Sequence, residues 1–164
     1  MLKNALILFG IALFMSKIGV GQNQYTIAAC DLSTKSKKFV GERLRLPLPK
    51  DASVKNGKDV DYHDYYIGYG DKNSRVWLSG IFGPNATSGE VSDKWLSVSS
   101  DVVRKTWTFG EIRGVDVKGR LPTGNYWRYF GQFGESFKYY DVSVEASAYF
   151  DRIIGQVCYQ EWKP

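Results

Sequence analysis

The sequence predicts an α+β domain: a mainly antiparallel β-sheet with a mid-chain helix and a C-terminal amphipathic helix packed on it. Three observations lead there. Strand-like segments follow one another through short turns rather than helical crossovers, which favours antiparallel pairing. Ala146, Tyr149, Phe150, Ile153, Ile154, Val157 and Cys158 recur at helical spacing and form one apolar face. Five Trp, eleven Tyr and nine Phe beside 17 Gly suit half-buried pleated strands separated by many turns. An all-β sandwich with a C-terminal helix is the alternative, because serines interrupt the mid-chain helix.

Residues 1–21 read as an export signal. Lys3 gives a positive start, residues 5–15 an apolar run, and Gly19-Val20-Gly21 the small residues before a cut that leaves Gln22 at the N-terminus. As a helix the run is about 16 Å long, against a hydrocarbon core of about 30 Å. That length suits a cleaved signal better than an anchor, and no other stretch is long and apolar enough to span a membrane. Residues 22–164 then form a single domain. Cleavage removes Lys3 and Lys17, so 20 basic residues face 17 acidic ones and the formal charge falls from +5 to +3. That balance is too mild for a nucleic-acid partner.

An exported chain with two cysteines pairs them most simply with each other. A Cys30–Cys158 disulfide would staple the two ends of the domain, beneath the last helix if Cys158 lies on its apolar stripe. Two alternatives stay open. Ile27-Ala28-Ala29-Cys30 resembles a lipobox whose cysteine would carry a lipid anchor, although Gln22, Asn23, Gln24 and Tyr25 separate it from the apolar run. The thiols could also both be free.

Along the chain, Leu44, Leu46 and Leu48 alternate with polar residues and prolines, as in a strand near an edge. Asn56-Gly57 signals a turn. Residues 59–69 read as a long Tyr-rich strand, and 75–82 as its return. Residues 83–92 form a polar loop, in which Asn85-Ala86-Thr87 is a glycosylation sequon if the source is a eukaryote. Ser92 can cap a helix over 93–104 with Trp95, Val98 and Val102 as its stripe. Strands follow at 106–109, 115–121, 126–133 and 136–142. Ser143 caps the closing helix, with Glu145 complementing its positive end.

This order is similar to the PsbP/Mog1-like α/β/α sandwich. Leu46-Pro47-Leu48-Pro49 resembles the early hairpin of that family. Val76-Trp77-Leu78-Ser79-Gly80-Ile81-Phe82-Gly83-Pro84 resembles its strand ending in a Gly- and Pro-bearing turn. Tyr149-Phe150-Asp151-Arg152-Ile153-Ile154 resembles its closing helix. The resemblance covers residues 43–158; the cysteine pair and the aromatic wealth depart from it. It implies a non-enzymatic accessory or binding role.

His63 is the only histidine, so any histidine-dependent catalysis must be built around it. The chain has no G-x-S-x-G elbow, P-loop, H-E-x-x-H or calcium-loop pattern, and no cofactor motif. Asp59, Asp61 and His63 alternate, so a strand would place them on one face as candidate metal ligands; an exposed polar strand face is the simpler reading. Tyr126, Trp127, Arg128 and Tyr129 are candidate ligand-binding residues, since an exposed ring beside Arg128 could stack a sugar or aromatic ligand. A strand buried on both faces is the competing reading. The sequence thus points first to an exported, non-enzymatic module binding an unknown protein or glycan, secreted or periplasmic. A carbohydrate-binding domain and a metal-dependent hydrolase are the rivals.

Overall fold

The computed structural model describes residues 24–33, 38–50, 52–58, 63–72, 74–82, 91–132 and 134–161. Four short strands come early: β1 (Gln24–Thr26), β2 (Ala28–Ala29), β3 (Phe39–Val40) and β4 (Leu44–Pro47). Next come β5 (Ser53–Lys58), β6 (His63–Tyr69) and β7 (Val76–Phe82), then the short helix α1 (Asp93–Val98). A four-strand meander follows, β8 (Ser100–Phe109), β9 (Ile112–Arg120), β10 (Tyr126–Gln132) and β11 (Glu135–Val142). Helix α2 (Val144–Ile154) and β12 (Cys158–Tyr159) close the chain.

Eight strands form the main sheet in the order β1-β8-β9-β10-β11-β7-β6-β5. Every pairing is antiparallel except β1 with β8. The β7–β11 pairing joins the two meanders. A second, four-stranded sheet runs β2-β12-β4-β3. The fold is therefore β-rich α+β, as the short turns predict.

The main core lies on one face of the large sheet. Phe150, Ile153 and Ile154 of α2, Leu44 and Leu46 of β4 and Tyr159 of β12 pack there against Leu78, Phe82, Trp107, Phe130 and Phe137. Glu135 fastens the small sheet to the large one: its buried carboxylate accepts the Leu44 and Arg43 amide protons at 2.8 and 3.1 Å. A smaller core lies on the opposite face, where Val91, Trp95 and Leu96 cover Val117, Trp127 and Tyr129. Successive β10 side chains thus serve different cores, as the two-residue period of a strand requires.

Four expectations are corrected. The mid-chain helix ends at Val98, not 104, and Val102 lies on β8. Ser99 is already extended, and the β-branched Val102 and Val103 gain more from pairing with β9 than from another helical turn. Asn56-Gly57 lies within β5, where the backbone pairs with Tyr65 and Asp64. Cys158 lies on β12, because the helix stops at Gly155 and two tight turns carry Val157 and Cys158 onward. The cysteines do pair, with Cα atoms 4.9 Å apart, but between β12 and the chain just after β2 rather than beneath the helix. The Ser143 hydroxyl caps α2 as expected, accepting the Ala146 amide proton at 3.3 Å.

Among the described residues, no helix is long and apolar enough to cross a membrane. The signal segment and the Asn85 sequon lie outside the described residues.

Candidate functional site

The β10 candidates are core residues. Trp127 is 0 %, Tyr129 5 % and Arg128 8 % exposed, with only Tyr126 half-buried. Val91, Trp95 and Leu96 pack over Trp127 and Tyr129, while Tyr126 and Trp127 line a cavity of about 250 Å³ with Arg120, Lys118 and Asp151. Trp127 donates its indole proton to the Ser99 hydroxyl at 2.7 Å, just beyond α1.

Arg128 faces α2 and holds a buried ionic network. Its Nε and Nη2 donate to the two carboxylate oxygens of Asp116, each at 2.8 Å. Its Nη1 donates to Asp151 on α2, also at 2.8 Å. Tyr139 donates to the same Asp151 oxygen at 2.8 Å, and Lys118 to the other at 3.0 Å. Tyr25 closes the network from β1, donating to Asp116 at 2.9 Å. Two cations meet two carboxylates, so the cluster is neutral. Burial raises the Asp151 carboxyl, but the Arg128 charge and the hydrogen bonds from Arg128, Tyr139 and Lys118 outweigh it and hold the group below its ordinary value. Burial, and then the adjoining carboxylates, pushes both phenols upward. Each donor side chain of this network is bonded to a carboxylate, which suits a clamp between α2 and the sheet better than a reacting centre.

The metal candidates are not brought together as described residues. His63 is exposed at the start of β6, while Asp59 and Asp61 lie outside the described residues. Among the described residues no group of three His, Cys, Asp or Glu could hold a metal ion.

The open part of the α1 side has a different character. Strand period places Lys55, Tyr66, Ser79 and Lys138 on this face, directly opposite one another across β5, β6, β7 and β11. Trp77 and Tyr140 stand on the same face one pleat along. Trp95 of α1 stacks on Tyr140, ring centroids 4.6 Å apart and planes 26° apart, and Tyr140 is still 42 % exposed. Tyr66 meets Trp77 edge-on at 6.4 Å. The result is a groove of about 410 Å³ walled by Tyr66, Trp77, Trp95, Tyr140 and Lys138. The Lys55 ammonium lies 4.6 Å from the Trp77 ring centre, and the Arg75 guanidinium 5.7 Å from it. The Asp64 carboxylate borders the face and accepts a long 3.4 Å bond from the Tyr66 hydroxyl.

Sequence reasoning missed this groove. The alternation of Trp77, Ser79 and Ile81 with Val76, Leu78 and Gly80 carries a signal for it, since the second set is the core-facing one. What hid it is that the rings come from α1 and three strands distant in sequence.

In comparisons with known proteins, no family model, no curated protein and no solved structure matches this chain.

Proposed function

We propose that the protein is an exported, disulfide-stapled binding or accessory module that holds its partner on the aromatic face beside α1. The observation carrying this reading is the groove itself. Half-exposed Tyr, Trp and Lys side chains line a face that the main core does not need, and proteins seldom leave such a surface without use. The core-side carboxylates point the same way: Asp116 and the partly exposed Asp151 are engaged by Arg128, and Glu135 by backbone amides. The PsbP/Mog1-like resemblance of residues 43–158 is part of this proposal, and an accessory role is what it implies. The disulfide and the N-terminal signal pattern support export.

Two measurements test the reading. The intact mass of the protein recovered outside the cytosol should begin at Gln22 and be two hydrogens short; a lipidated fragment beginning at Cys30 overturns the soluble-export reading. Crosslinking in the native compartment should capture a partner with the wild type and lose it with a Trp77→Ala/Tyr140→Ala variant that still folds. Equal capture by both removes the face from the function.

A further inference from the structure

We propose that the groove beside α1 takes a carboxylated sugar chain, a uronic-acid oligosaccharide; this rests on the reading of that face as the binding surface. Three cations surround the aromatic rings, and none has a carboxylate partner among the described residues. Lys138 lines the groove, Lys55 lies over Trp77, and Arg75 borders the same ring while donating to the Ser53 hydroxyl and the Gly70 carbonyl. Asp64, the acidic group bordering this row, accepts from Tyr66 through one oxygen, and its other oxygen is buried without a hydrogen-bond partner. An unpaired cation beside half-buried rings favours an anion that also presents an apolar face.

The place of the groove narrows the class further. β6 pairs with both β5 and β7, whereas the β7–β11 ladder ends at Ser79–Lys138 and the groove opens beyond it, between Trp77 and Tyr140. Its lining offers ring faces for stacking and ammonium groups for charge. A pyranose ring offers its C–H face to Tyr140, which is 42 % exposed, and its carboxylate reaches Lys138 or Lys55. Those two lysines stand three strand spacings apart, about 14 Å at roughly 4.8 Å per step. That span suits a short chain carrying repeated carboxylates better than a single small anion. The mild overall charge weighs against a nucleic acid, whose affinity depends on many phosphate contacts.

The test is a fluorescence titration of the disulfide-bonded protein, using Trp77 and Trp95 as the reporters. The probes are an oligogalacturonate, a hyaluronan oligosaccharide and the methyl-esterified oligogalacturonate, which keeps the rings and loses the charge. At least one acid form should bind, and added salt should weaken it. The ester should bind about tenfold more weakly or worse, the loss expected for charge-assisted hydrogen bonds. Lys138→Glu should lower acid-form affinity by a similar factor while leaving the thermal midpoint unchanged, a control that Trp77→Ala alone cannot supply. Equal binding of acid and ester overturns the proposal, as does an unaffected Lys138→Glu variant or a folded wild type that binds neither acid. If no uronate binds but partner capture still depends on Trp77 and Tyr140, only the sugar assignment falls. If both fail, the binding-face reading falls with it.

Discussion

Trp107 on β8 lies directly across the ladder from Gly114 on β9, and its indole fills the space that a side chain at position 114 would occupy. The ring then stacks on Phe130, with centroids 5.4 Å and planes 7° apart. The same pairing recurs on the sheet. Trp127 faces Gly119, Trp77 faces Gly68 and Phe137 faces Gly80, each in direct register. A Cβ at 119 or 80 would come within 2.9 to 3.0 Å of the opposing ring. At these four pairs a large ring takes the space beside a glycine, so part of the glycine content serves the aromatic packing.

Gly114→Ala should therefore destabilise the fold by about 1–3 kcal/mol or more through overpacking. Trp107→Ala should cost about 3–5 kcal/mol. In the double variant the new methyl group gains the volume the indole vacated but still meets the Gly131 carbonyl oxygen, 2.5 Å from its position. Its cost should fall short of the sum of the singles by about 0.5–3 kcal/mol. Denaturant unfolding of the four proteins measures this, and strict additivity would remove the packing role.

These pairs mark how far the sequence was legible. The short turns and the 3.6-residue stripe from Ala146 to Ile154 are local signals, and they were readable. So was the cysteine pair, because two thiols leave one simple partner choice. Glycines 68, 80 and 119 fall inside expected strands, yet nothing local shows that they face rings, because their ring partners lie on other strands. The second sheet was invisible for a related reason. Its strands β2, β3 and β12 have two residues each, too few to show a period, and only tertiary pairing stabilises them. Arg128 looked available for a ligand because nothing local announces Asp116 or Asp151 as its partners.

Arg128→Met should cost about 3–5 kcal/mol, since it leaves two carboxylates facing the α2 interface without their main cation. The triple variant Asp116→Leu/Arg128→Met/Asp151→Leu should recover most of that loss, because a packed apolar cluster commonly replaces a buried ion triad at little cost. Thermal unfolding of both variants distinguishes this clamp from a binding role. Recovery with uronate binding intact places the network in stability alone.

The network also makes stability depend on pH at both the acid and the alkaline end. The Asp151 carboxyl is held below its ordinary value of 3.8 in the fold. Its contribution is present above that value and is lost as pH falls through it toward the folded value. Lys118 is 46 % exposed on its side of the pair, so that contact adds little. The Tyr25 and Tyr139 phenols are raised above 10.0, so their contribution is complete below pH 10 and lost above it, where the unfolded chain ionises first. Tyrosinate absorbance from these two should appear only with unfolding, and Tyr25→Phe/Tyr139→Phe should remove that coupled component. Their titration in a still-folded protein, before circular dichroism changes, would sink this account.

The disulfide makes a prediction about place as well as size. Its cysteines are 128 positions apart, so the chain-entropy model gives a loss on removal near the upper end of about 2–5 kcal/mol. The structure says where that loss acts first. β12 pairs over only two residues with each of β2 and β4, and the Cys30 amide donates to the Tyr159 carbonyl at 2.9 Å. Tyr159 in turn stacks on Phe109 at the end of β8, 4.7 Å between centroids. In Cys30→Ser/Cys158→Ser, amides of Cys158, Tyr159 and position 30 should lose most of their exchange protection. Those of β9 and β10, at the centre of the large sheet, should fall only by the global loss of stability. An equal fall at both places would mean that the bond acts through the unfolded chain alone and does not hold the small sheet.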